Sequence, residues 1–465
     1  MKRLMSFAGV ILVHERPLGR LWMIVLLLCL QAASPHASGQ VLQSGDGEQT
    51  CGEFSSIRLR PQDVRYSEPS PTHLKLMPAR WASLRDSLAG YEKTGIPLVG
   101  LDGNRLVPTG GSDDAGLDYF VPRLASSLRL PLPVSLDIFL GGTLIGCFCL
   151  GSVGLLLLLK SPWIKYLAIF EILVLAILCL RVGDVYLIPA AAVLAVVPWV
   201  LYFSRKARPG RLIFLVLGLA GLGLGAANLL RTYSGTTVLL LCIPILGFYA
   251  DAKPKGRIVM LASLTLGLLA SSLYFRHVFS YRDAYLRSQQ ADYVETPRQH
   301  PMWHSIYIGL GFVSNPYVAG GYCDQVAVDK VRSVSPNAVF LSPEYDRILA
   351  EQVRQLVRHH PTLLLVNLAA KMGILQMLAL LAGNFGLLAA LRERKRWSLD
   401  LAFWIAIAFG ALPGLLVVPI PKYLLGFIAM LVLYGLISLD YAIHQGAVQR
   451  LMRRFGRQEK ILCAA

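Results

Sequence analysis

Hydrophobic residues occur along this chain in long unbroken blocks, separated by short polar connections and by two much longer polar segments. An α-helix needs about 20 apolar residues to cross the hydrocarbon core of a bilayer, and the blocks have about that length. They lie near 136–159, 164–181, 185–203, 212–230, 236–250, 257–275, 372–391, 399–418 and 423–443. Together with an apolar stretch within residues 1–35, they predict an all-α polytopic membrane protein with about ten transmembrane helices.

The two long polar segments divide the chain into five parts. Residues 1–35 hold a basic N-terminus and the first apolar stretch, which is compatible with a retained membrane anchor or with a cleaved signal peptide. The other parts are a first loop, a block of six membrane helices, a second loop, and three further membrane helices with a basic tail. Their bounds are 36–135, 136–275, 276–361 and 362–465.

Basic residues predict the orientation of the helices, because cytoplasmic connections carry an excess of Lys and Arg. If the N-terminus is cytoplasmic, the strongly basic connections all fall inside, at Lys160 with Lys165, 204–211, 251–257, 392–396 and the C-terminal tail. The opposite connections hold a single basic residue each, at 181–184, 231–235 and 419–422. We therefore predict a bacterial inner-membrane protein with both termini cytoplasmic and both large loops periplasmic.

Composition agrees with this class, since 55% of the residues are hydrophobic and only 16% are charged, against about 25% in a soluble protein. The formal net charge of +17 lies in short runs between apolar blocks, which is typical of membrane topology and argues against a nucleic-acid partner. The eight cysteines show no metal-ligand spacing. Cys51 and Cys323, in the two large loops, could form a disulfide in an oxidising compartment.

The first large loop ends in an acidic segment at 110–128. Ser112 or Asp113 can cap a helix there, and Asp114 and Asp118 are one helical turn apart on one face. Because the next membrane helix follows directly, these carboxylates should lie near the membrane surface. The segment is either a capped helix with a solvated acidic turn or a site for acid–base chemistry.

The second large loop is dense in aromatic and polar residues at 300–325. His300 and His304 have the i, i+4 spacing of two metal ligands, but the glutamate of a zinc HExxH helix is missing, so we predict no metal site. Trp303 and Tyr307 fit a groove that stacks a sugar or a peptide on aromatic rings; a packed loop with partly buried aromatics fits as well. Residues 344–361 predict an amphipathic helix lying along the membrane.

Two charged residues lie within apolar blocks, where ionisable groups are expensive and often functional. Glu171 is predicted to hydrogen-bond to a neighbouring helix. Lys371 lies near the outer end of its block, where its ammonium either meets a lipid phosphate or snorkels to the interface.

These features resemble the GT-C superfamily of integral-membrane glycosyltransferases, which includes protein O-mannosyltransferases and lipid A aminoarabinose transferases. In that superfamily an acidic motif follows the first span, often with an aromatic residue shortly after it. The matching residues here are Asp113, Asp114 and Tyr119, with Asp-Asp in place of the superfamily's Asp-Glu. A large outer loop after the seventh span matches 276–361, and 300–311 is similar to a motif of uncharacterised bacterial members.

The resemblance implies transfer of a sugar, with inversion, from a polyprenyl-phosphate donor to a lipid, glycan or protein acceptor on the outer face. Asp113 or Asp114 would be the general base, with Asp118 and Tyr119 close to the substrate. Residues near the outer face would hold the leaving phosphate: Lys371, helped by Arg231, Arg276 or Arg282. The second loop would close over the sugar with His300, Trp303, His304 and Tyr307. The resemblance implies no particular cofactor, and a divalent cation is compatible with the chemistry.

Two other functions stay open at this point. An O-antigen ligase or polymerase type of enzyme also has ten or more spans and a large late outer loop, and it would use His300, His304 and Arg298. A transporter or non-catalytic assembly partner would instead depend on Glu171 and the glycine-rich span 215–227, with both loops purely structural.

Overall fold

Apolar blocks fold into helices because a backbone amide in hydrocarbon has no water to bond and must bond within its own segment. The computed structural model describes residues 76–110, 114–291, 293, 301–320, 324–392 and 397–445. Eight helices in these ranges are long and apolar enough to cross a membrane, which confirms the all-α polytopic class. They are α3 (Leu132–Leu158), α4 (Pro162–Val182), α5 (Ile188–Ser204), α6 (Arg211–Leu230), α8 (Pro254–Gln289), α12 (Pro361–Arg392), α13 (Trp397–Leu416) and α14 (Pro421–His444).

One more apolar helix, α7 (Ser234–Pro244), continues as a π turn over Ile245–Tyr249 and coincides with the predicted block 236–250. It is shorter than the other eight. The apolar stretch of residues 1–35 lies outside the described residues. The number of about ten spans, the orientation of the termini and the inner-membrane location therefore stay predictions.

The polar segments carry the remaining elements. In the first are α1 (Pro78–Thr94), an antiparallel hairpin of β1 (Val99–Asp102) and β2 (Arg105–Pro108), and α2 (Ala115–Leu128). In the second are α9 (Met302–Leu310), α10 (Asp324–Val334) and α11 (Pro343–His359). Helix α8 has 36 residues and is about 54 Å long, well beyond a hydrocarbon core of about 30 Å, so the second polar segment begins on an unbroken helix.

Two helices form the centre of the membrane region. In the apolar windows of α5 and α14, 78% and 89% of the residues are buried, whereas the other long helices range from 22% to 39%. Helices α12 and α14 approach closely because glycine meets glycine: a Cβ on Gly386 would lie 2.3 Å from the Cα of Gly435. Close contact through small residues is how membrane helices gain packing energy without a hydrophobic driving force.

Connections between the described helices meet at two ends of the bundle. At one end, Asp440 of α14 accepts hydrogen bonds from the amides of Lys160 and Ser161, and the Asp251 amide donates to the Ser204 carbonyl. The connections at 181–184, 231–235 and 419–422 meet at the opposite end, as described below.

Helix α12 is broken where Asn384 adopts a backbone φ of 37°. The Asn384 amide donates to the Glu171 carboxylate of α4 at 2.8 Å, which confirms the predicted hydrogen bond from Glu171 to a neighbouring helix. Polar side chains inside a membrane bundle are stable when they hydrogen-bond to each other, because the hydrocarbon around the bundle offers them no other partner.

The predicted amphipathic helix at 344–361 is present as α11, capped by Ser342, whose hydroxyl accepts from the Tyr345 amide. Its position relative to the membrane stays a prediction. Tyr345, Leu349 and Val353 pack with α9 and α10 in a small separate core. Part of the apolar face of α11 is therefore covered by protein.

Candidate functional site

A polar stripe on α1 faces the acidic segment that the sequence singled out. Arg80, Ser83 and Ser87 are spaced by three and four residues and therefore share one face of this helix. Helix α1 also packs tightly on the hairpin, since a Cβ on Gly90 would lie 2.1 Å from the carbonyl oxygen of Val99. The hairpin in turn leads directly to Asp114 and α2, so the stripe and the acidic segment are held together by short connections.

Asp118 is the anchor between α1 and α2. Its carboxylate accepts hydrogen bonds of 3.1 Å from the hydroxyls of Ser83 and Ser87 and one of 3.0 Å from the Gly110 amide. Burial, reinforced by the charge of Asp114, raises the pKa of Asp118 to about 7, and the three hydrogen bonds oppose this rise. Because its oxygens already have partners, Asp118 fixes Gly110, at the end of the hairpin, and α1 relative to α2.

Asp114, immediately before α2, forms a buried ion pair with Arg80 of α1. The same guanidinium donates to Asp184 at 2.6 Å, and Asp184 in turn accepts from the Val185 amide at the start of α5. Burial disfavours the charge on Arg80, but the two carboxylates outweigh this effect and raise its pKa. Burial raises the pKa of Asp184 as well, against the attraction of Arg80. One cation thus joins the acidic segment to the end of span α4.

Further cations and two tyrosines complete the cluster. The Arg231 guanidinium, after α6, lies 4.5 Å from the ring centroid of Tyr186, and the Lys422 ammonium, at the start of α14, lies 5.5 Å from it. The Tyr186 hydroxyl donates to that of Tyr423 at 3.3 Å. We call the residues Arg80, Asp114, Asp184, Tyr186, Arg231, Lys422 and Tyr423 the junction site. It contains three cations and two carboxylates.

Lys422 differs from the other cations of the junction site. Within the ranges that the structure describes, its ammonium makes no hydrogen bond or ion pair and contacts only the faces of Tyr186 and Tyr423, the latter at 5.4 Å. Aromatic rings hold an ammonium without neutralising its charge. The half-buried Lys422 can therefore bind an anion.

The remaining predicted site residues are spread over three places. Tyr119 packs against Phe275 of α8 and hydrogen-bonds to the Tyr274 hydroxyl at 2.7 Å, which together with burial raises the pKa of Tyr119 to about 12. It lies on the same helix as Asp118 but not in the junction site. Asp113 and His300 lie outside the described residues.

Lys371 is fully buried in α12 and lies away from the junction site. Its ammonium donates to the carbonyls of Gly309 at 2.8 Å and Leu415 at 3.0 Å. Of the predicted helper arginines, Arg282 is also fully buried and donates to the Thr109 carbonyl, and Arg276 is exposed. Arg231 alone among the predicted phosphate ligands belongs to the junction site, and phosphate binding by Lys371 stays a prediction.

The second polar segment holds a separate polar group. His304 of α9 bonds through Nδ1 to the Tyr345 hydroxyl at 2.8 Å and through Nε2 to Asp324 at 3.0 Å. His304 and Tyr307 are buried, and Trp303 contacts the guanidinium of Arg354 at 5.8 Å. The side chains of this segment are packed against one another, so the structure supports the predicted packed loop more directly than an open stacking groove.

The described residues contain no group of three or more His, Cys, Asp or Glu side chains that could hold a metal ion. No protein-family model, curated protein or solved structure matches this chain.

The sequence indicated Asp114 and Arg231 and placed Asp184 close to the outer boundary, but it missed Arg80, Tyr186, Lys422 and Tyr423. The signal for Arg80 was the stripe Arg80, Ser83 and Ser87, a helical repeat of polar residues directly before the acidic segment. The signal for Lys422 was its position as the single charged residue of the outer connection 419–422. No comparable signal marked Tyr186 or Tyr423.

Proposed function

We propose that this protein transfers a sugar from a polyprenyl-phosphate carrier to an acceptor at the end of the bundle where the junction site lies. The observation that carries the proposal is the grouping of the Asp114 carboxylate with three cations, Arg80, Arg231 and Lys422, at the ends of membrane helices. Such a site offers a proton acceptor beside a place for a phosphate, at the depth where a lipid carrier presents its headgroup.

In the proposed reaction Lys422 and Arg231 bind the phosphate of the carrier. As the bond between the anomeric carbon and the phosphate oxygen breaks, negative charge grows on the departing polyprenyl phosphate. Fixed cations in a low-dielectric site stabilise that charge strongly because they need no reorganisation during the reaction. Tyr186 and Tyr423 hold both cations against their ring faces and present them on one side of the site.

Asp114 supplies the proton acceptor. The acceptor hydroxyl attacks the anomeric carbon from the face opposite the phosphate, the carbon–oxygen bond to phosphate breaks with its electron pair, and the hydroxyl proton passes to the carboxylate. Arg80 favours the ionised carboxylate, which is the form that accepts a proton. Asp113, the neighbouring candidate base, lies outside the described residues.

The proposal includes a bacterial inner-membrane location with the junction site on the periplasmic side, and an acceptor that is a lipid, a glycan or a protein. The basic residues at the opposite end of the bundle support this orientation, because positive charge accumulates on the cytoplasmic side. The helices then lie in the lipid bilayer, and the polyprenyl carrier reaches the junction site from within the bilayer.

The deciding experiment uses the purified full-length protein in lipid with a panel of polyprenyl-phosphate sugars, and follows the loss of the sugar–phosphate bond. We expect turnover in the wild type and at least about a hundredfold loss in Asp114→Asn, the cost of removing a general base. The matched control is Asp329→Asn, an acidic residue in the second polar segment, which should keep wild-type turnover. Movement of the carrier between vesicle compartments without a covalent product would favour the transporter.

A second candidate function has its own observation, the His304 group. A ligase or polymerase type of glycan enzyme would use His304, which Asp324 and Tyr345 hold in a defined orientation. Two variants separate the candidates in the same assay. Loss of turnover in His304→Gln with turnover retained in Asp114→Asn would favour the ligase, and the reverse pattern would favour the junction site.

A further inference from the structure

Two helices end at the same buried ammonium. Helix α9 ends at Leu310 and helix α13 at Leu416, and Lys371 donates to a carbonyl in the last turn of each, those of Gly309 and Leu415. The last carbonyls of a helix lack partners within the helix, and they form the negative end of its dipole. A single cation therefore stabilises two helix ends, one from the second polar segment and one from a membrane span.

Asn367 strengthens this connection one turn earlier on α12. Its side-chain amide donates to the Leu310 carbonyl at 2.9 Å, and like Lys371 it is buried. The two helix ends also touch directly, since a Cβ on Gly309 would lie 2.0 Å from the carbonyl oxygen of Leu416. At this point the backbones of α9 and α13 are in direct contact.

A short stiff segment joins this contact to the junction site. Lys422 is seven residues after Leu415, and Pro419 and Pro421 lie between them. Proline fixes its own φ and restricts the residue before it. Backbone hydrogen bonds from Ile420 to Val418 and from Tyr423 to Ile420 tighten the segment further. The segment therefore couples the position of the Leu415 carbonyl to that of Lys422 and Tyr423 in the first turn of α14.

We propose that Lys371 and Asn367 are positioning residues that hold the end of α13 and thereby place Lys422 and Tyr423 in the junction site. This inference rests on the proposed function for its consequence, because Lys422 is the cation expected to bind the carrier phosphate. It gives the buried Lys371 a role that needs no contact with substrate. We call the hydrogen bonds from Lys371 and Asn367 to the carbonyls of Gly309, Leu310 and Leu415 the clamp. Because α9 supplies two of these three carbonyls, the second polar segment helps to position the cation that would bind the phosphate.

The first measurement is amide hydrogen exchange of the full-length protein in lipid, read on the peptide that spans 415–424. We expect faster exchange there in Lys371→Met and, to a smaller extent, in Asn367→Leu. The second variant leaves the lysine in place, so it still tests the clamp if Lys371→Met fails to fold. Tyr434→Phe is the control, because it removes one buried hydrogen bond between α13 and α14, to Asp400, far from Lys422 along the helix. Unchanged exchange at 415–424 in both clamp variants overturns the proposal.

The second measurement is a double-mutant cycle on the binding of polyprenyl phosphate without a sugar, which requires no transfer. Lys422→Met and Lys371→Met should each raise the dissociation constant about tenfold, and the double variant should be no weaker than Lys422→Met alone, because both changes remove the same contact. Tyr434→Phe should leave the constant unchanged. Additive losses in the cycle would refute the positioning role.

The outcomes separate this inference from the proposed function. A wild type that binds the carrier but transfers no sugar removes the proposed reaction, while hydrogen exchange and the double-mutant cycle still decide the positioning role of Lys371 and Asn367. Binding and transfer with additive losses removes the clamp and leaves the reaction supported. If the wild type does not bind the carrier, the proposed function fails and hydrogen exchange alone decides whether Lys371 holds the segment.

Discussion

Arg80 forms a buried ion pair with Asp114, which lies 34 residues further along the chain, just before α2. Through the same guanidinium Asp114 is connected to Asp184 at the end of α4. The ion pair thus ties an extramembrane helix to the membrane bundle and orients the carboxylate that we propose as the base. Its contribution should be visible in stability as well as in activity.

Replacement of Arg80 by Met should destabilise the protein strongly, because it leaves the buried carboxylates of Asp114 and Asp184 without their shared cation. Breaking a buried ion pair typically costs about 3 to 5 kcal/mol. Thermal unfolding in detergent, followed by tryptophan fluorescence, measures the effect. Adding Asp184→Asn should restore part of the lost stability, since it removes one of the two negative charges that Arg80 balanced.

The control for this prediction is Arg354→Gln. Arg354 is 63% exposed and pairs with Glu351 at 3.4 Å, and exposed pairs contribute about 0 to 1 kcal/mol. An Arg80→Met variant as stable as Arg354→Gln would show that the junction site contributes nothing to holding α1 on the bundle.

Replacement of Lys422 by Met should raise the KM for the donor about tenfold or more, because the ammonium is the junction-site cation with no ion pair among the described residues. Steady-state kinetics with a polyprenyl-phosphate sugar measures this. Lys206→Met is a matched control, since the Lys206 ammonium also lies over a tyrosine ring, that of Tyr202, at 4.8 Å. Lys206 follows the C-terminal end of α5, whereas the junction site lies at the N-terminal end of that helix. Equal effects of the two variants would count against a phosphate site at Lys422.

Asp118 should make stability depend on pH. Its pKa is raised to about 7, above the ordinary value of about 4, so the folded protein binds the proton more tightly than the unfolded chain does. The stabilisation is therefore fully present below about pH 4 and is lost as the pH rises towards 7. The apparent melting temperature of the wild type should fall over this range relative to that of Asp118→Asn. A constant difference between the two proteins would contradict the buried titration.

Replacement of Gly386 by Ala should disrupt the contact between α12 and α14, because the added Cβ would meet backbone atoms of Gly435 at 2.3 to 2.4 Å. Backbone cannot move aside as a flexible side chain can, so we expect a loss of about 1 to 3 kcal/mol. Gly373→Ala is the control on the same helix, since nothing lies within 4 Å of the position of its Cβ. Thermal unfolding of both variants tests the packing, and equal stability would contradict it.

The membrane helices were predictable because a span must satisfy its own backbone and be apolar over about 20 residues, and both requirements are local. The predicted blocks at 164–181 and 212–230 coincide with α4 and α6 almost residue for residue. The block at 257–275 was too short, because α8 continues through polar residues to Gln289 after leaving the apolar region. Hydropathy marks where a helix meets lipid but does not mark where the helix ends.

The site was predictable only in part. Asp114 was indicated by its acidic neighbours, and Arg231 by its position at a span end. Lys371 illustrates the opposite case, since its charge in an apolar block suggested a ligand and the structure gives it two carbonyl partners. Sequence shows that a buried charge needs partners, whereas which groups provide them depends on residues more than 40 positions away.

The sequence by itself determined the class of this protein, the spans within its described ranges and the separation of charge between their ends, because each follows from the local free energy of placing residues in hydrocarbon or water. Only the tertiary structure decided that Arg80, Asp184 and Lys422 join Asp114, and that Lys371 ties two helix ends together. Those contacts depend on how helices distant in sequence pack, and packing is a property of the whole bundle rather than of any segment.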